Sequence, residues 1–531
     1  MVSLLVACHG KETLPVVTVP EHSTGVELEG MGVELDPHFI AQNVTRNDGA
    51  TRDDWNNIVV RRVKMMDIQR FRVMLLPHWW EPVKGKFIFD NVEMQSVYAV
   101  LDLAEETGAD VTLVVWGCPA YCSFIDPSTP GNGKRYFNCN KTGTNWVTAP
   151  EDNEEFAANF STLVKYLIEQ KGYTCINEVT PFNEPDGNVC ESGQYIQIVK
   201  AMDRRFRSDG IRDKVKFNLS DNTDGRRFFL KDCADSLSQY ADIFNSHTYI
   251  FGYETPNSVT MEWEAANLET VAKTGKKHFV GEFGSNLCVG ASRQTDINWY
   301  KRGPLMVRNC LNFLNAGAAG ASYWSLIDQY YNRDANYETM QQLGLWRYKK
   351  VVYQGDDAEG CETDYQPRPN YYAFSLLTRF VRKDDTVYPL DLGNDFANGS
   401  AFRSDDGKWT YVFASGIERD LSLILSNENV KRLGKCEVYE YREGCLPEDD
   451  SMLSPVMELK PSGNHYNIEL HSQSVLVLRE KRSRNEKDFA DHSCCTCFSC
   501  SILARNHKAS MVRCQGSIHG RFDHRPGIGP G

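Results

Sequence analysis

Eight times between Gly30 and Arg382 the chain sets a short apolar run against a segment with helical spacing, and no other feature restricts its fold as strongly. The strand-like runs are Gly30–Pro37, Ile68–Pro77, Val111–Gly117, the run broken at Asn183-Glu184-Pro185, Lys216–Asp221, Asp242–His247, Lys277–Gly284 and Ala319–Ser325. They are apolar along their length, as strands of a parallel sheet covered by helices must be. Thr51-Arg52-Asp53-Asp54 reads as a capping box opening a helix through Trp55, Ile58, Val59, Val63 and Met66. Further helices are expected near 92–106, 154–170, 195–207, 228–239, 261–273, 299–315 and 370–382. Eight such units close a (β/α)8 barrel, a TIM barrel of the α/β class. The long Gly, Asn, Thr and Pro-rich insertion from Pro119 to Pro150 falls where a loop on the open face of the barrel belongs.

From Thr386 to Leu478 the period changes to short alternating strands such as Trp409-Thr410-Tyr411-Val412-Phe413 and Ser474-Val475-Leu476-Val477-Leu478, the pattern of an all-β sandwich. The expected organisation is a leader over 1–29, a barrel over 30–382, a sandwich over 383–480 packed against it, and an unstructured tail over 481–531. The tail has no apolar period, and its Cys494, Cys495, Cys497 and Cys500 are spaced more tightly than zinc ligands. The start, Leu5-Val6-Ala7-Cys8, matches a lipoprotein processing site behind a shortened apolar stretch. It implies an exported, extracellular or cell-surface protein with a lipid anchor at Cys8.

A net charge of −13 without a long basic run excludes a nucleic-acid partner, whose phosphates demand clustered Lys and Arg. No apolar run reaches the ~20 residues of a membrane-spanning helix. The seventeen cysteines form no compact framework. Most are expected as buried thiols, with a bridge between Cys118 and Cys122, or from Cys139 to a neighbour, as the alternative in an oxidising compartment. A monomer is expected.

The chemistry is carried by two strand ends. One apolar run breaks at Asn183-Glu184-Pro185, where proline cannot extend the ladder, and Lys277–Gly284 runs into a lone Glu282. In a parallel barrel all strand carboxyl ends open on one face, so the two carboxylates can meet there, and opposed carboxylates are the apparatus of glycoside hydrolysis. With Arg72 on the second strand, His247-Thr248-Tyr249 ending the sixth and Trp324 ending the eighth, the chain resembles a clan A glycoside hydrolase, cellulase-like and near families 5 and 39.

The resemblance implies Glu184 as general acid/base and Glu282 as nucleophile of a retaining reaction without a cofactor or metal. It implies Arg72 and Tyr249 as partners favouring the ionised Glu282, Asn183 as donor to the sugar 2-hydroxyl, and Trp324 as floor of the subsite beside the cleaved bond. Trp116, Trp79 and Trp80 are candidate sugar platforms, because pyranose CH faces pack on aromatic rings, and His247 is a candidate substrate contact. Arg70 is left out, as facing away from Arg72. The segment 327–369, with Tyr330, Tyr331 and Trp346, is expected to wall the cleft. The partner is then an oligo- or polysaccharide, a β-linked glucan or a related polymer cut internally or by an exo-acting β-glycosidase. The rivals are a glycan-binding protein on a barrel that has lost catalysis, and a metal-dependent barrel enzyme, for which only His247 and His78 offer imidazole ligands at the mouth.

Overall fold

The structure, a computed structural model, describes residues 14–35, 37, 52–82, 84–119, 147–187, 189–223, 227–289, 293–334, 337–347 and 365–481. Cys8, Thr51, Cys122, Cys139, most of the 119–150 insertion and the tail after Lys481 lie outside them.

Eight parallel strands close the barrel in sequence order. They are Gly30–Glu34, Arg70–Leu75, Asp110–Val115, Ile176–Thr180, Lys216–Asn222, Ile243–Thr248, Lys277–Phe283 and Gly320–Tyr323, called strands 1 to 8 below. Nearly every residue in them is buried, which is why they read as continuous apolar runs. The ring closes where strand 8 meets strand 1 in the register Gly320 to Gly30 through Tyr323 to Val33. Glycine is required at this seam: a Cβ on Gly320 would stand 2.5 Å from the Gly30 carbonyl oxygen and 2.6 Å from the Phe279 ring.

The helices follow the expected spacing, with shifted ends in two units and a π-helical stretch over Trp55–Val60 in the first; the sixth-unit helix starts early, at Asn257. The seventh-unit helix is Arg302–Ala316, so Trp299 precedes it instead of opening it. This helix carries the second domain. Its Asn312 and Asn315 side chains meet Asn398 Nδ2 at 2.7 Å and Ser400 Oγ at 2.7 Å. A Cβ on Gly303 would come within 2.7 Å of the Tyr441 ring, so the packing there is close.

The β domain consists of a six-stranded and a three-stranded sheet. The smaller one corrects the reading of 1–29 as a leader for its described part: Val16–Val19 pairs in parallel with Leu421–Asn427, which pairs with His465–Leu470. Val17 and Val19 are buried while Val16 and Thr18 face out, a strand alternation too short to stand out beside the flanking prolines. No helix of the described residues is long and apolar enough to cross a membrane. Cys175, Cys190, Cys233, Cys310 and Cys436 are buried free thiols, and Cys118 is buried as well.

Candidate active site

Arg72, in the middle of strand 2, is the centre of the site. Its guanidinium donates to Glu34 Oε2 at 3.0 Å, Glu282 Oε1 at 2.6 Å, Asn183 Oδ1 at 2.8 Å and Asp221 Oδ2 at 2.7 Å. A planar fork suits this task, because its five N–H donors reach several acceptors from one buried position. These partners come from strands 1, 5 and 7 and from the turn after strand 4, which only a closed barrel brings to one place.

The catalytic candidates are delivered by irregular backbone. Strand 4 ends at Thr180, and Glu184 follows in a turn with φ of 41°. That turn is tied on both sides: Asn183 N donates to Val115 O at 2.8 Å, and Glu184 N to Asp221 O at 3.0 Å. The pairing of strand 5 with strand 6 slips between Ser220 and Asn222, and both Ser220 and Asp221 take positive φ, 82° and 53°. Pairing of strand 7 with strand 6 slips between Val280 and Glu282. Bulges of this kind re-aim side chains next to active sites.

Glu282 accepts from Tyr249 OH at 2.6 Å as well as from Arg72. His247 lies between the carboxylates, with Nδ1 3.0 Å from Glu184 Oε1 and 3.5 Å from Glu282 Oε2, and Nε2 3.1 Å from Asp221 Oδ1. One donor atom each of Glu184, His247 and Glu282 lies within 4.8 Å of the others. The two glutamates differ in access, with the Glu184 side chain 33% exposed and that of Glu282 7%.

Burial raises the Glu282 carboxyl above its usual range, and Glu184 adds to this, while His247, Arg72 and the Tyr249 hydroxyl work the other way. Its ionised form therefore depends on those three partners. Asp221 is also opposed by burial, but Arg72 and His247 hold it below the ordinary carboxyl range. Burial and the neighbouring Glu282 push the Tyr249 phenol well up, so it remains a donor.

Trp324 and Trp116 meet edge to face at 6.3 Å and 84°, with 7% and 9% of their surface exposed. The Trp324-Ser325 peptide is cis. Other expectations fail here. Trp79 and Trp80 are 1% and 0% exposed, and Trp80 Nε1 donates to Asn159 O at 3.1 Å. Both are core side chains and present no face to a sugar. Trp346 does not wall the cleft either: it is buried beneath Arg62 and against Tyr371. Arg70 does not face away from Arg72; residues two apart in a strand share a face, and Arg70 lies inside the barrel one layer down, paired with Glu178. His247 meets carboxylates through both ring nitrogens, where a substrate contact was expected. Glu34 and Asp221 are site residues that the sequence reading passed over. Each is a carboxylate at the carboxyl end of a strand, the signal that singled out Glu282.

Glu184, His247 and Glu282 also form a donor set of the kind that holds a divalent ion. Here the positions around Glu282 are taken by Arg72 and Tyr249, and the outer nitrogen of His247 by Asp221. A cation is thus already built into the cluster from the chain itself.

No protein-family model and no curated protein matches the chain. Its fold does match solved structures. Xylanase C of glycoside hydrolase family 30 from Talaromyces cellulolyticus superposes with a TM-score of 0.61 at 16% identity, over 88% of this chain and 100% of that one. A family 39 glycoside hydrolase from Bacteroides cellulosilyticus gives 0.56 at 15% identity, over 87% and 83%. An endo-β-1,6-glucanase gives 0.58 at 14% identity, over 88% and 94%. Family 39 recurs from the motif reading, and family 30 is added. At these identities the likeness is one of fold, and it spans barrel and β domain together.

Proposed function

We propose that the chain is a retaining glycoside hydrolase acting on a β-linked polysaccharide, a glucan or related polymer, with Glu282 as nucleophile and Glu184 as general acid/base. The observation that carries this reading is the approach of the two carboxylates to within 4.8 Å, oxygen to oxygen, at the mouth of the barrel. Retaining pairs stand ~5–5.5 Å apart, whereas inverting pairs need ~6.5–9.5 Å to admit a water. The polysaccharide-cleaving neighbours fit the same reading.

Each group has a task in the double displacement. Glu282, fixed by Arg72 and Tyr249 through separate oxygens, attacks C1 and forms the glycosyl-enzyme. Glu184, the more accessible of the two, protonates the departing oxygen and then takes the proton of the incoming water. Asn183 gives its amide oxygen to Arg72, which leaves its NH2 to donate to the 2-hydroxyl as the ring flattens. Trp324 and Trp116 bound the sugar from below.

A panel of aryl β-glycosides, β-glucans and xylans tests the proposal, and product length separates internal from exo cleavage. Hydrolysis confined to α-linked glycans would overturn it. Loss of activity with a chelator would favour a metal on Glu184, His247 and Glu282. We further propose that the chain works as an exported monomer lipidated at Cys8; release of a Cys8→Ser variant from the membrane fraction, compared with the parent chain, tests the anchor.

A further inference from the structure

The reaction proposed above moves one negative charge from Glu282 to Glu184. That reaction requires an ionised Glu282 and a protonated Glu184 at its start. In the glycosyl-enzyme Glu282 is esterified and neutral, and Glu184, having given its proton to the leaving oxygen, is ionised. Arg72 touches Glu282 and not Glu184 among its hydrogen-bond partners, so it serves only the first state. His247 Nδ1 reaches both, at 3.0 Å from Glu184 and 3.5 Å from Glu282. A neutral imidazole has one N–H and one lone pair. Here both ring nitrogens face carboxylate oxygens, an arrangement satisfied throughout turnover only by a ring that donates from both.

Asp221 provides for that. It is wholly buried, holds His247 Nε2 through Oδ1 and Arg72 through Oδ2, and is placed there by the strand 5 bulge with two successive left-handed residues. Non-glycine residues in that region are strained and persist where the surroundings over-determine them. We propose that Asp221 is a positioning residue that fixes His247 as a doubly protonated imidazolium, a stationary counter-ion serving Glu282 before glycosyl transfer and Glu184 after it. This rests on the glycosidase reading for its role in turnover, but the state of His247 does not. The charged and titratable groups around the ring are Glu184 and Asp186 from the turn after strand 4, Asp221 from strand 5, Glu282 from strand 7, Arg72 from strand 2 and Tyr249 just past the end of strand 6. Burial works against the charged ring, and Glu282 and Asp221 outweigh it, holding the imidazole well above its ordinary range. A fixed charge aimed at both positions needs no reorganisation as charge moves between them.

Nitrogen-15 NMR of histidine-labelled full-length protein, with the His247 signals assigned by their loss in His247→Gln, reads the state directly. The expected result is both ring nitrogens protonated from pH 6 to 8 in the parent protein, and a neutral, titrating ring in Asp221→Asn. The same variant should lose on the order of 10²-fold in kcat, with the acid limb of its pH profile moved upward because Glu282 loses a charged neighbour. A neutral His247 in the parent protein overturns the proposal whether or not the variant folds, and so does an unchanged His247 in Asp221→Asn. A parent protein that cleaves no glycoside while showing the expected spectra would instead overturn the glycosidase reading alone.

Discussion

Arg70 and Arg72 lie two residues apart on one strand, point into the same barrel, and live in opposite electrostatic circumstances. Arg70 is matched one to one. It pairs with Glu178, both 2% exposed or less, and Glu178 also accepts from Thr112 at 3.0 Å and Asn218 at 2.8 Å. Asn218 in turn accepts from Asn245 at 2.6 Å, and Phe279 covers the guanidinium at 4.6 Å. One layer higher, Arg72 is shared among Glu34, Asp221 and Glu282, with Glu184 next to them. A buried pair that is merely structural can be closed and balanced. An excess of buried carboxylates costs stability, and is kept where charge has to appear and move.

The largest expected effect is at the upper layer: Glu282→Ala should lose on the order of 10⁵-fold in kcat. Added azide should rescue it and give a glycosyl azide of inverted configuration. Next comes Glu184→Ala, with on the order of 10²–10⁴-fold loss for substrates with poor leaving groups and much less for activated aryl glycosides. Its azide product should keep the configuration; the same stereochemistry from both variants would abolish the division of roles.

The lower layer should respond in stability. Arg70→Met strands a buried Glu178 and should cost about 3–5 kcal/mol in a denaturant melt, while Arg70→Met with Glu178→Leu should recover most of it. The folded double variant should retain kcat, and a collapse of kcat in it would show that the two layers act as one. Smallest is Tyr249→Phe, expected to lose about tenfold in kcat with one charge-assisted hydrogen bond. That bond lowers the Glu282 carboxyl, so without it Glu282 ionises at higher pH and the acid limb must move upward. A downward shift would place Tyr249 outside the control of Glu282.

The barrel was legible because parallel strands announce themselves as unbroken apolar runs, and Glu184 and Glu282 because each interrupts one. Arg72, Asn183 and Tyr249 came with the motif resemblance, and the structure brings all of them to Glu282 or to its arginine. What was missed has physical reasons. Asp221 and Glu34 follow the strand-end pattern, but their roles depend on bulges and a shared guanidinium that no local pattern encodes. Trp79 and Trp80, expected as sugar platforms, and Trp346, expected in the cleft wall, have the burial of core residues, and sequence does not distinguish exposure for a large aromatic. Arg70 was misplaced by a slip in period, since a two-residue step returns to the same face. Val16–Val19 escaped because its partner lies some four hundred residues away.

The central claim, that two carboxylates this close work by double displacement, is tested most directly by proton NMR of the first anomer released from a cleaved β-glycoside. The account predicts the β-anomer initially, followed by slow mutarotation. Initial release of the α-anomer would contradict it, because water would then have attacked C1 directly and Glu282 could not be the nucleophile.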